Sequence, residues 1–364
     1  MNRVVHRVLI FRLGSLGDTI VALPAFHLIA RAYPQAERWM LTQVDADPKA
    51  VSIPGVLSGS GLVTGSIRYE LRTRSPRELL RLRSEIRDFR PDVLVYLAEP
   101  RGWLKTLRDV VFFRSCGVRR LVGVPYSRSL QHRQLIKTTM FEFEGVRLLR
   151  CLAPLGDGTI DAVGSFDLRL SDHERASAHD ALSVLPATVP MLMLSVGAKV
   201  DVQDWGDENW SALLGRLPGW LNDWSLVALG AGVERKRSDR LLASWPGRTL
   251  NLCGELSVRE SAAALERARL FVGHDSGPMH LASAVGTTCV AIFSSRNLPG
   301  EWFPHGRDHR VLYTDVACRG CGLDTCARYN KMCIASIRVD AVVREIESAL
   351  ESGSGWTDSA DAVV

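Results

Sequence analysis

The chain has 364 residues, 46% of them hydrophobic and 23% charged. That is the composition of a soluble globular protein long enough for two domains with a core each, and it excludes collagen, coiled coil and wholesale disorder. The net charge of +5 hides an asymmetry: residues 1–150 carry 25 Lys+Arg against 13 Asp+Glu, whereas the remainder carries 20 against 27. A basic first half suits an anionic or phosphorylated partner, although Arg-rich helices can also be plain solvated faces.

In chain order, Arg7–Arg12 predicts a strand, because its continuous apolar run fits a parallel strand buried on both faces. Arg12 cuts that run too short for a secretory signal. No stretch approaches the ~18 apolar residues of a membrane span, so a bacterial-type cytosolic enzyme is expected. A glycine turn, Gly14-Ser15-Leu16-Gly17-Asp18, leads into a helical pattern reaching Tyr33, which Pro24 either kinks or enters in an early turn. Strands are predicted at Trp39–Gln43, Asp92–Leu97 and Leu121–Val124. Helices are predicted over 76–90, 101–115 and 141–152. Residues 154–167, rich in Gly, Asp and Pro, read as the interdomain linker.

The alternation then restarts. Strands are expected at Met191–Val196, Ser225–Leu229, Leu270–Val272 and Thr288–Ile292. Between and around them, helices are expected over 172–185, 208–217, 234–243, 257–267, 278–285 and 340–350. This pattern predicts two doubly wound α/β domains, 1–165 and 166–351, followed by a frayed tail over 352–364. Ligands in such sheets bind beyond the carboxyl ends of the strands, so two facing domains would share a cleft.

Four groups of residues carry chemistry. The turn Gly14–Asp18 is neither a P-loop nor a dinucleotide fingerprint, since no Gly-Lys-Ser/Thr follows and the tight G-x-G is missing. Its Asp18 reads either as a helix cap or as a base that takes a proton from a substrate hydroxyl. The stretch Gly273-His274-Asp275-Ser276-Gly277-Pro278-Met279-His280 opens a helix after a strand. Free N–H groups and the helix dipole there make an anion site that fits a diphosphate without a metal, with His280 placed to donate to a phosphate oxygen. Lys199 follows a strand at the same sheet edge and could neutralise a leaving diphosphate, or simply be solvated; Trp205 and Trp210 read as packing. The cluster Cys318-x2-Cys321-x4-Cys326-x6-Cys333 has the density of a structural zinc or iron site, without zinc-finger spacing. Reduced thiols or a redox-dependent disulfide are the other readings. The scattered Cys116, Cys151, Cys253 and Cys289 read as core residues of a reducing compartment.

Two long motifs, RVLIFRLGSLGDTIVALPAF and LFVGHDSGPMHLASAVGTTCVAIF, preceded by NLCGELSVRESAAALERA, resemble glycosyltransferase family 9, the heptosyltransferase family of lipopolysaccharide core assembly. The resemblance runs from about residue 6 to about 350. It implies a GT-B fold with acceptor on the first domain and nucleotide-sugar on the second. It also implies inverting transfer without a metal cofactor, typically from ADP-heptose. Asp18 matches the family's base. Asp275, Ser276, Gly277 and His280, with Pro278 and Met279 in the same motif, match the donor contacts, and Leu256 falls where a backbone contact to the nucleotide base is expected. The chain departs from the family at Gln203, where a lysine often stands two residues before a tryptophan; Lys199 is the nearby lysine. The expected partners are a nucleotide-sugar and an anionic glycolipid or glycan, met by helix 76–90 and segment 101–137 at the cytoplasmic face of the inner membrane; nucleic acid is not expected. A different donor or acceptor, a sugar-nucleotide epimerase, and a non-catalytic nucleotide-sugar or metal-binding protein are the competing readings.

Overall fold

The computed structural model describes residues 4–44, 53–70, 75–137, 139–306 and 308–352. The expected tail beyond 352 lies outside them. By its internal contacts the chain divides into two compact units: residues 1–178 with 256–263 and 298–303, and the rest.

The first unit holds five parallel strands: β1 (Arg7–Phe11), β2 (Glu37–Val44), β3 (Gly65–Glu70), β4 (Val93–Tyr96) and β5 (Leu121–Val122), in the order β3-β2-β1-β4-β5. β1 is the hub, pairing with β2 from Arg7↔Glu37 onward and with β4 from Val8↔Val93 onward. Its residues Val8–Phe11 are buried, as a central strand covered on both faces requires. On one face Leu9, Phe11, Leu94 and Tyr96 pack against Leu82, Ile86 and Phe89 of the helix Pro76–Phe89 and Phe113 of the helix Trp103–Ser115. Pro24 sits in the first turn of a second helix, Leu23–Ala32, that follows the short helix Leu16–Val21 across Ala22.

The second unit holds six parallel strands: β6 (Met191–Ser195), β7 (Ser225–Ala228), β8 (Thr249–Asn251), β9 (Leu270–His274), β10 (Cys289–Phe293) and β11 (Arg310–Tyr313), in the order β11-β10-β9-β6-β7-β8. Trp205, Trp210, Leu213 and Leu217 pack with Leu192, Leu194, Leu226 and Ile292 in its core, so both tryptophans are packing residues as expected.

Both sheets reverse direction once, between β1 and β4 in the first unit and between β6 and β9 in the second. In doubly wound sheets the crevice at that reversal, beyond the carboxyl ends, is where ligands sit. The loops after β1 and β4, and those after β6 and β9, are therefore the places to look.

The stretch 154–167 is not the boundary between the units, which falls at Ala178/His179. A buried arginine explains much of this. Arg259 donates to the carbonyls of Val56, Leu168 and Arg169 and pairs with Glu174, tying 168–174 and residues 258–263 of its own helix to the first unit.

Candidate functional site

In the first unit the glycine turn puts Asp18 beside the end of β1. Gly14 has φ of 135°, and a Cβ there would lie 2.5 Å from the Asp18 Cβ, so only glycine lets the carboxylate fold back against the turn. Ser15 is the N-cap of the helix Leu16–Val21, and Asp18 is its third residue. The Ser15 backbone N–H and hydroxyl both donate to Asp18 Oδ2 at 2.5 Å. Asp18 is thus the reciprocal member of a cap, yet it remains half-buried and reachable.

Arg12, fully buried, organises the floor. Its Nη1 donates to the Leu97 carbonyl at 2.7 Å and its Nη2 to the Asp18 carbonyl. Burial works to raise the Asp18 carboxyl, but the Arg12 charge and hydrogen bonds from Ser15 and Glu99 outweigh it and hold it below the ordinary carboxylate value.

Glu99 is the residue the sequence reading missed. It follows β4, on the other side of the reversal point, and its carboxyl hydrogen-bonds to Asp18. Burial, then the Asp18 charge and that hydrogen bond, push Glu99 up to about 7. Beneath it, Arg147 grips Glu144 through Nε at 2.8 Å and Nη2 at 2.6 Å, and donates to the Ala98 carbonyl at 3.1 Å. Arg133 bridges Glu144 and Glu301, at 3.0 Å each. Arg12, Arg38 and Arg147 are all buried. Part of the basic excess of the first half is therefore spent inside the fold; Arg38, for example, serves the carbonyls of Tyr33, Ala36, Gly61 and Leu62.

In the second unit, Ser276 caps the helix Gly277–Ala284 directly after β9. Asp275 accepts from Gln203 Nε2 at 2.9 Å and Asn297 Nδ2 at 3.3 Å, and His280 Nε2 lies 3.7 Å from its Oδ1. Gln203 thus meets Asp275 as a neutral amide. Asp275, Met279 and His280 are buried, and Met279 belongs to the core, so the turn presents Ser276, Gly277 and Pro278. The Ser276 hydroxyl is buried without a hydrogen-bond partner among the described residues. His274 is structural: its Nε2 accepts from the Trp205 N–H, its Nδ1 faces the Gly197 carbonyl, and burial drives its pKa down to about 4. Lys199 is exposed in the loop after β6. Leu256 groups with the first unit, whereas Lys199 and the Asp275–His280 turn group with the second.

The four cysteines 318, 321, 326 and 333 do not converge. Among the described residues no three His, Cys, Asp or Glu side chains gather as a metal site. Cys333 is buried in the helix Met332–Ala335, whereas Cys321 is exposed in a loop pinned by the Gly320 and Gly322 N–H groups to the Ser295 and Arg296 carbonyls. Backbone N–H groups of Lys331, Tyr329 and Arg328 hold the Cys326 thiol below its ordinary value.

Residues 146–330, just over half of the chain, match the sequence model of glycosyltransferase family 9 (heptosyltransferase). The chain belongs to glycosyltransferase family 9. A lipopolysaccharide heptosyltransferase 1 of Pseudomonas aeruginosa is 25% identical over 94% of this chain and 98% of its own length. Among solved structures, a glycosyl transferase family 9 protein of Veillonella parvula superposes with a TM-score of 0.72 at 18% identity, covering 97% of this chain and 99% of that one. The Escherichia coli heptosyltransferase WaaC, solved with ADP-2-deoxy-2-fluoro heptose, gives 0.63 at 18% identity, covering 94% and 99%. This family 9 protein is a glycosyltransferase of the GT-B class, as the sequence motifs implied. No helix of the described residues is long and apolar enough to cross a membrane.

Proposed function

We propose that this glycosyltransferase moves a heptose from ADP-heptose onto an anionic lipopolysaccharide-core acceptor with inversion, Asp18 serving as general base. The observation that carries the reading is the Asp18 carboxyl, held by the Ser15 N–H and hydroxyl in the turn after β1, at the reversal point of a family 9 fold. In this mechanism an acceptor hydroxyl gives its proton to Asp18 while its oxygen bonds to the anomeric carbon. The bond from that carbon to the phosphate oxygen breaks, and its electron pair leaves with the nucleoside diphosphate. The unpaired Ser276 hydroxyl, the free N–H groups at the start of the helix Gly277–Ala284 and the exposed Lys199 favour a diphosphate in the second unit. The first unit would hold the acceptor.

The test is transfer from ADP-heptose to a heptose-free core glycolipid, read as a product mass gain of one heptose. No product, with no ADP-heptose binding in calorimetry, rejects the donor. In the same assay His280→Ala should weaken donor affinity at least about tenfold, the worth of one hydrogen bond to a charged group. Unchanged affinity would remove His280 from the donor site.

A lipid surface as the place of reaction has its own support. On the helix Trp103–Ser115, Trp103, Leu104, Leu107 and Val111 form an exposed stripe, each more than half accessible. Segment 101–137 carries nine Lys+Arg and one acidic residue, Asp109. An apolar stripe in a basic setting suits an anionic bilayer. Vesicles containing phosphatidylglycerol should sediment the protein at low salt, and vesicles of phosphatidylcholine should not. Leu107→Glu together with Val111→Glu should cut binding at least tenfold, since each buried apolar side chain contributes about 1.5–3 kcal/mol. Equal binding to both lipids, or a stripe-dependent dimer in solution, would refute the bilayer.

A further inference from the structure

We propose that Glu99 and Asp18 act as one carboxyl pair holding a single proton, in which Glu99 is the positioning residue that keeps the Asp18 carboxylate ionised and fixed for its role as base. The proposal rests on the reading of Asp18 given above and adds a residue to it.

The argument begins with topology. The order β3-β2-β1-β4-β5 makes β1 and β4 neighbours, in register from Val8↔Val93 to Phe11↔Tyr96. The residues that follow each strand must therefore meet over the reversal point. There the chain places two carboxyl groups in hydrogen-bond contact, both half-buried. Two carboxylates so close cannot both ionise without a large electrostatic cost, so one keeps a proton and donates it to the other.

The surroundings decide which. Asp18 receives the Ser15 N–H and hydroxyl, and the Arg12 guanidinium stands beside it. Glu99 faces Asp18 and Glu144, two like charges, and Arg12 as its cationic neighbour. Arg147 also lies close enough to feel the Glu99 charge, but both of its bonds to the Glu144 carboxylate commit it there. Asp18 is thus the anion and Glu99 the donor.

The backbone is built to keep them in place. Arg12 holds the Leu97 carbonyl and Arg147 the Ala98 carbonyl, the two residues immediately before Glu99. Arg12 also holds the Asp18 carbonyl, so one side chain anchors both halves of the pair. When Asp18 accepts the proton of an acceptor hydroxyl, the pair holds two protons, and one returns to solvent before the next turnover. If Glu99 ionises instead, Asp18 loses its donor and gains a repelling neighbour.

The sign of the pH effect follows. The folded chain retains the Glu99 proton where the unfolded chain has released it, so the folded state binds more protons between the ordinary glutamate value of 4.5 and about 7. Stability contributed by the neutral form is complete below that window and is lost as pH rises through it. The experiment is thermal unfolding of wild type, Glu99→Gln and Asp18→Asn from pH 4.5 to 8.5, with the pH profile of kcat/KM for ADP-heptose transfer in the wild type, Glu99→Gln and Glu99→Ala.

The wild type should lose Tm across the window by on the order of 5 °C relative to Glu99→Gln, whose amide still donates and cannot ionise. Asp18→Asn should weaken the same dependence, because Glu99 then loses the Asp18 charge while its burial remains. In transfer, Glu99→Gln should keep activity and lose the alkaline limb near pH 7 seen in the wild type, while Glu99→Ala falls about tenfold at pH 6.5. Parallel Tm curves for all three proteins, or superimposable wild-type and Glu99→Gln rate profiles, overturn the pair. Absence of transfer by the wild type would count against the donor reading alone, since the unfolding curves still judge the pair.

Discussion

Asp18→Asn is expected to bind ADP-heptose as the wild type does and to lose transfer by about 10²–10⁴-fold, the usual contribution of a general base. The substitution keeps the shape of the side chain, so Ser15 and Gly14 still fit around it. What it removes is the charge that Arg12 and Ser15 stabilise. Affinity by calorimetry and product by mass spectrometry separate the two effects. Unimpaired turnover in this variant would take Asp18 out of the mechanism and leave its cap role as the whole account.

That outcome bears on how Asp18 could be read from sequence. A carboxylate three residues past a serine at a helix start serves as cap and as reactive group by the same geometry, so spacing alone left both open. The structure shows the capping bonds to Oδ2 and also a side chain that keeps some exposure.

Glu99 was legible in principle. Once β1 and β4 are recognised as adjacent, the first charged residue beyond β4 is the one to test against the loop after β1. In the string Leu97-Ala98-Glu99-Pro100 it looks like ordinary loop polarity, because the signal lies in strand order rather than local composition. Strands β3, β8 and β11 were missed for a related reason. Gly65–Glu70 begins on a glycine covered by the Trp39 ring and pairs only with β2, so it shows little apolar periodicity. By contrast, the fully buried strands β1, β4, β6, β9 and β10 announced themselves as continuous apolar runs. The linker was misread because Gly, Asp and Pro mark irregular backbone, and only a distant side chain, Arg259, decides which unit that backbone joins.

The other large effect should be on stability. Arg147→Ala is expected to destabilise the first unit by about 3–5 kcal/mol, the loss typical when one partner of a buried ion pair is removed. Glu144 and Arg147 are both fully buried and doubly bonded. Without the guanidinium, Glu144 keeps Arg133 alone as its side-chain partner among the described residues, and the Leu130 and Ala98 carbonyls lose the donors Arg147 gave them. A denaturant titration monitoring this unit measures the loss. Pairing Arg147→Met with Glu144→Gln should recover much of it, because the cost comes chiefly from the uncompensated charge rather than from the missing attraction. If the double variant is as unstable as Arg147→Ala, the carbonyl contacts dominate instead. In that case Arg147 acts mainly as the clamp on Ala98, and the single variant should also move the pH dependence that Glu99 imposes, because the clamp and the carboxyl pair are one residue apart.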